Sequence, residues 1–307
     1  MTDQPAEVRH RIGRDGSFTL RTVSGNINVR GAETDEAVVI ARTIHGSAPR
    51  LNVERGSDRL VVELPRINAS FFGRGFGAGD ADIDFEIELP RQARVSLAAV
   101  SAEVIVDDMH GEHSYKTVSG DLTLGEVDGP ITVRSVSGDV RLRRGGRVSL
   151  EVVTTSGDLE VEAERIEQLN VRSVSGDVDI SSDLAAGPRH SVETVSGDLR
   201  LQSAGGVTVQ PARALDIGRG ARRPIVIGDG AAQLSFRSMS GEEHIVGGRP
   251  AATGTAPASA AAAATPNEQP GPNASPPGRL DILRALERGD IDVEEAYRQL
   301  EEVSTNA

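Results

Sequence analysis

The chain has no cysteine and no tryptophan, and only 3% of its residues are aromatic. The first absence excludes disulfides, thiolate metal centres and cysteine nucleophiles. The shortage of rings means that the core cannot lean on large aromatic side chains. It must be assembled from Val, Ile and Leu, which suits thin stacked layers. Lysine is nearly missing too: of the 33 basic residues, only Lys116 is a lysine. The net charge is −13, the wrong sign for a general nucleic-acid binder, which shows basic patches. No apolar run reaches the ~18 residues that a membrane-crossing helix needs. The opening MTDQPAEVRHRIGRDG holds no apolar segment of the secretory type. The expected location is therefore the cytoplasm, with membrane association only through a partner.

What is present is a returning phrase. It reads TVSGDL at 117–122, SVSGDV at 135–140, TTSGDL at 154–159, SVSGDV at 173–178 and TVSGDL at 194–199. Looser copies are TVSGNI at 22–27, AVSAEV at 99–104 and SMSGEE at 238–243. The central glycines fall at 120, 138, 157, 176 and 197. A fixed period near 19 residues marks a stacked repeat protein, in which one unit cannot bury its apolar face alone. The repeat glycines are Gly25, Gly120, Gly138, Gly157, Gly176, Gly197 and Gly241.

Strand side chains alternate between faces. Around TVSGDLTL the alternation puts Val118, Gly120, Leu122 and Leu124 inward and Ser119, Asp121 and Thr123 outward. Upstream, Ile131 and Val133 point inward, and the next inward residue is Val136, three positions on. Such a slip of parity is expected at a corner. Each coil is thus a short strand, a corner, a longer strand holding SGD, and a Gly/Pro turn. The predicted fold is all-β: a single-stranded, right-handed, parallel β-solenoid of about 19 residues per coil, filling residues 1–247. Residues 31–90 fit less well. The runs 51–65 and 83–90 read as hairpin strands. Between them SFFGRGFGAGD at 70–80 places Phe71, Phe72 and Phe76 as a docking patch or a solenoid cap. A second irregular stretch falls at 211–224.

From 248 to 278 the composition shifts to Ala, Pro, Gly, Thr and Ser, as in a disordered linker. Residues 279–303 then read as a helical hairpin. Leu280, Leu283 and Leu286 form one stripe, with Gly289 at its end; Asp292 and Glu295 open a second helix with Val293, Ala296, Tyr297, Leu300 and Val303. Two such short helices need a surface to dock on. Leu283, Leu286, Tyr297 and Leu300 are the candidate association residues.

The strongest candidate site is the column Asp121, Asp139, Asp158, Asp177 and Asp198, one carboxylate per layer. Two readings stand. The aspartates cap local backbone groups, or they form an outer face for a weakly held cation or a partner. The serines of the phrase are expected to hydrogen-bond between layers; none is spaced with a His and an acid as in a nucleophile motif. HGEH at 110–113 lacks the HExxH spacing of a zinc helix and reads as a surface turn. No cofactor is expected.

The VSGD phrases on a Val/Leu-rich scaffold resemble the bacterial toast-rack, or adhesin-like, domain family of unknown function, over roughly residues 9–247. IELPRQARVSLAAVSAEV at 87–104 is similar to that family's strand ending in Leu-Pro ahead of the repeats, although AVSAE stands where SGD is usual. Residues 279–303 resemble a short helical oligomerisation-like (SHOCT-like) domain. The resemblance implies a non-catalytic scaffold or interaction module, in the setting of envelope-stress sensing, with protein partners and a homo-oligomer formed through the tail. It carries no catalytic residues. The alternatives are a surface adhesin, which requires export, and a carbohydrate-active β-helix enzyme.

Overall fold

The computed structural model describes residues 5–43, 51–64, 83–213 and 224–247. All regular structure among them is strand; no helix occurs. The expected linker, the helical hairpin and Phe71, Phe72 and Phe76 lie outside the described residues.

The N-terminal strands are β1 (Ala6–Arg11), β2 (Ser17–Arg21), β3 (Ser24–Ala32), β4 (Glu36–Thr43), β5 (Asn52–Arg55), β6 (Arg59–Glu63) and β7 (Ile83–Pro90). The repeats supply β8 (Arg94–Asp107), β9 (His113–Ser119), β10 (Leu122–Gly125), β11 (Gly129–Ser135), β12 (Val140–Val153), β13 (Leu159–Arg172), β14 (Val178–Leu184), β15 (Arg189–Ser196) and β16 (Leu199–Ser203). The last four are β17 (Val207–Arg213), β18 (Ile225–Ile227), β19 (Ala232–Ser240) and β20 (Glu243–Gly247).

Through the repeats every pairing is parallel, and each residue meets its equivalent one coil on: Leu122 sits beside Val104 and Val140, and Val140 beside Leu159. This is a β-solenoid. Strands before the corner form one row (β2, β8, β9, β11, β12, β13, β15, β19), and strands after it form a second (β3, β8, β10, β12, β13, β14, β16, β20). The long strands β8, β12 and β13 serve both rows. Layers so paired repeat every ~4.8 Å. Inward side chains of both rows share one aliphatic core; Val133, Leu142, Val161, Val171 and Leu201 are fully buried in it. Each coil contributes a few Val, Ile or Leu side chains, each worth roughly 1.5–3 kcal/mol against exposure.

The ends depart from the parallel pattern. The run 51–63 is the antiparallel hairpin β5–β6. Strand β7, expected as a hairpin strand too, instead lies between β3, to which it is parallel, and β4, to which it is antiparallel. At the other end β17 pairs antiparallel with β18, while β19 threads between β15 and β17. Antiparallel strands at the ends of a stack shield edges that would otherwise template further pairing.

The expected parity slip is not what the corner contains. After Val133 the next buried side chain is Ser135, two on, so the alternation continues into the corner; Val118 and Val136 are buried as expected, at 7% and 8% exposure, but stand outside the core cluster, which resumes at Val140. The small hydroxyl residue of the phrase is inward in every copy that has one, whereas the residue after it is buried only at Val118 and Val136. Thr22, Thr117, Ser135, Thr154, Ser173, Thr194 and Ser238 are all buried, whereas Val23 is 56% exposed, Val195 43% and Met239 47%. A second correction concerns Gly120 and its equivalents, for which an inward direction is expected from the alternation. Gly138 has φ +117, and a Cβ there would lie 2.3 Å from the carbonyl oxygen of Gly120. The missing side chain points along the stack at the preceding coil, not into the core.

Candidate interaction surfaces

The corner phrase is a chain of local hydrogen bonds. Its buried hydroxyl donates to the carbonyl two residues on: Thr117 to Ser119 at 3.1 Å, Ser135 to Ser137 at 3.1 Å, Thr154 to Ser156 at 3.1 Å, Ser173 to Ser175 at 3.1 Å and Thr194 to Ser196 at 3.2 Å. A buried hydroxyl without a partner would be costly; this geometry satisfies it inside its own turn. The next serine reaches back one coil, as Ser137 Oγ donates to Val118 O at 3.2 Å and Ser156 Oγ to Val136 O at 3.3 Å. Glycine follows because the turn needs a left-handed residue and because the coils touch there. The column Gly25, Gly120, Gly138, Gly157, Gly176, Gly197 and Gly241 meets a carbonyl of the adjacent layer throughout. Ala102 occupies the AVSAE position in register between Gly25 and Gly120.

The aspartates complete the corner. Oδ1 of Asp121 accepts the N–H of Asp139 at 2.9 Å, Asp139 that of Asp158 at 3.0 Å, Asp158 that of Asp177 at 2.9 Å and Asp177 that of Asp198 at 2.9 Å. Asp198 hands on to the N–H of Glu242 at 2.8 Å, and at the other end Asp84 accepts from Asn26 at 3.1 Å. One oxygen of each carboxylate is thus committed to the next coil. In three of them the other oxygen faces an arginine: Arg141 lies 2.6 Å from Asp139 Oδ2 and 3.5 Å from Asp121 Oδ2, and Arg200 lies 3.9 Å from Asp177 Oδ2. Asp179, beside this column, has its pKa raised, chiefly by burial and further by Glu160 and Asp177, against the opposing pull of Arg200. Among the described residues, no group of three or more His, Asp or Glu side chains is placed to hold a metal ion.

The outward side of the row before the corner carries a basic column. Strand register aligns Arg21, Ala98, Lys116, Arg134, Val153, Arg172, Glu193 and Arg237 in one outward column. Arg21 pairs with Glu63 at 3.2 Å; Glu193 lies between Arg172 at 3.7 Å and Arg237 at 3.4 Å. Beside it runs a polar column of Thr19, Ser96, Ser114, Thr132, Glu151, Asn170, Ser191 and Ser235. The repeat reading overlooks this face, yet its signal is present: each cation is the residue immediately before the buried Thr or Ser of the phrase.

HGEH is only partly a surface turn. His110 is exposed and lies 3.3 Å from Asp108 and 2.9 Å from Asp128. His113 is an inward strand residue, fully buried, stacked on Tyr115 with its Nδ1 3.1 Å from the phenol oxygen. Burial lowers its pKa from 6.5 to about 4 and pushes that of Tyr115 upward. His190 is a second buried imidazole, 2.9 Å from the Ala185 carbonyl, its pKa lowered mainly by burial. The candidate tail residues Leu283, Leu286, Tyr297 and Leu300 lie outside the described residues.

Stacked parallel coils locked by a glycine–aspartate corner, with polar ladders on both outer faces, define a β-solenoid repeat protein. The chain belongs to the Toastrack DUF4097 family, whose family model matches residues 16–214. No curated protein matches the sequence. Among solved structures, it is similar to a candidate adhesin from Bacteroides fragilis at 13% identity and a TM-score of 0.47, covering 80% of this chain and 98% of that one. It is also similar to a candidate lipid-binding protein from Parabacteroides distasonis at 12% identity and a TM-score of 0.37, covering 80% of this chain and 98% of that one.

Proposed function

We propose that the protein is a non-catalytic interaction module: a right-handed solenoid that offers two extended charged faces, with a C-terminal helical segment for self-association or tethering, working in the cytoplasm in a bacterial envelope-stress setting. The observation that carries the reading is the engagement of the repeat's polar groups. The carboxylate Oδ1 atoms of the aspartate column are taken by backbone N–H groups, and the buried hydroxyls by backbone carbonyls. Chemistry-bearing side chains in the repeats therefore serve the stack, and what they leave to a partner is flat, laddered charge suited to multivalent contact. No helix of the described residues is long and apolar enough to cross a membrane, and the module would reach a membrane through its partner.

Sedimentation of the full chain beside its Leu286→Asp/Leu300→Asp variant tests the tail. A higher mass for the unaltered chain supports tail-driven association; equal masses remove it.

A further inference from the structure

The two outward faces differ in sign. One carries the column Asp121, Asp139, Asp158, Asp177 and Asp198, widened by Glu160 and Asp179, with Arg141 and Arg200 as the cations among them. The other carries Arg21, Lys116, Arg134, Arg172 and Arg237, with Glu193 as the acid within the column. The two columns flank the corner, the basic one at the end of the row before it and the acidic one at the start of the row after it. Both columns are built by the same coils and share one repeat of ~4.8 Å. The cations fall on rungs of that repeat, interrupted at Ala98, Val153 and Glu193, so their spacings are multiples of the pitch of the carboxylate ladder on another copy.

We propose that the basic face is a docking surface for the acidic face of a second copy of this chain. The contact is heterologous, so it leaves one basic and one acidic face open and can continue from copy to copy. Each exposed ion pair contributes little alone, and the association is weak, multivalent and salt-sensitive. The net charge of −13 opposes it at low ionic strength. Near 0.15 M salt, the Debye length of about 8 Å screens whole-chain repulsion but leaves charges in contact to interact. The inference rests on reading the solenoid as a contact module, and it is independent of the tail.

The test is sedimentation equilibrium of the full chain at about 0.15 M and about 1 M salt, where the Debye length falls to about 3 Å. The expected result is a mass that rises with concentration at the lower salt and drops at the higher. Arg172→Glu/Arg237→Glu breaks the basic face, and Glu160→Arg/Asp179→Arg breaks the acidic one while sparing the carboxylates that accept backbone N–H groups. Each variant alone should lose at least about tenfold in association constant. An equimolar mixture should associate again as one-to-one pairs, because each supplies the face the other lacks. Circular dichroism confirms folding; where a reversal perturbs it, Arg172→Gln/Arg237→Gln and Glu160→Gln/Asp179→Asn replace the pair. A chain that stays monomeric at about 0.15 M salt, an association indifferent to salt and variants, or folded variants that do not associate when mixed would overturn the proposal. Tail-driven association would survive the face variants and disappear with Leu286→Asp/Leu300→Asp, so the two readings fail separately.

Discussion

Oδ1 of Asp158 accepts the backbone N–H of Asp177 at 2.9 Å, across the junction of two coils. A side chain of one layer thereby does what a ladder bond does elsewhere, at the corner where the strands themselves lose pairing. Asp158→Ala removes the acceptor. Because the outer side of this residue is open to water, which can partly replace the bond, a loss of about 1 kcal/mol is expected. Asp158→Asn keeps an acceptor oxygen and relieves repulsion between carboxylates ~5 Å apart, itself about 1 kcal/mol in a water-like medium. It should therefore match or exceed the unaltered chain. Urea unfolding midpoints of the two variants at neutral pH decide the point.

Three glycines separate two penalties. Gly187 has φ +104 and open space around the position a Cβ would take, with nothing within 4 Å. Gly241 has no left-handed φ, but a Cβ would lie 2.1 Å from Gly197 O; Gly157 combines φ +115 with a Cβ 2.2 Å from Gly138 O. Alanine at 187 should cost about 1 kcal/mol through backbone strain alone. Alanine at 157 should cost several times more, because the opposing atom is backbone held in the stack. Alanine at 241 should fall between them. Melting temperatures in any other order would contradict this assignment.

Burial of His113 makes stability depend on pH. Its folded pKa of about 4 lies below the ordinary 6.5, so the unfolded chain binds the proton more readily. The contribution is fully present above pH 6.5, declines as the pH falls toward 4, and is gone below it. Over that window it amounts to on the order of 3 kcal/mol. His113→Phe, which keeps a buried ring and removes the titrating group, should flatten the difference between stabilities at pH 7 and pH 4.5. Equal pH slopes for variant and parent in chemical denaturation would show that the imidazole is not the cause.

The unbroken alternation at the corner predicts unequal sensitivity of neighbours. Thr194 is buried with its hydroxyl on the Ser196 carbonyl, while Val195 beside it is exposed. Thr194→Val should lose about 1 kcal/mol with the hydrogen bond, and Val195→Thr should stay within about 0.5 kcal/mol. A larger loss at Val195 in thermal unfolding would restore the inward placement of the valine.

The stack is legible in the sequence because its period is long and its glycines recur in place: Gly120, Gly138, Gly157 and Gly176 do line up, each against the one before. The corner is not, because hydrophobicity is a poor marker of the interior there. Val195 looks the natural core residue and Thr194 a surface one, but a threonine that donates to its own turn can be buried at little cost. His113 is hidden for the same reason: an imidazole in the polar run HGEH reads as surface until the register places it beside Val95 on one coil and Ile131 on the next. The basic column spans eight coils at single positions, so no contiguous basic run advertises it. Only the pairing of Arg134 with Lys116 on one side, and of Arg172 with Val153 on the neighbouring coils, makes it a surface.

Asp198 passes its bond to Glu242, a step of 44 residues where its predecessors take 18 to 21. The corner lock registers neighbours in space and is blind to the length of chain that separates them. A lineage can therefore lengthen the excursion between these two coils, graft new loops into it or strip it back, while the axis of the rack stays true.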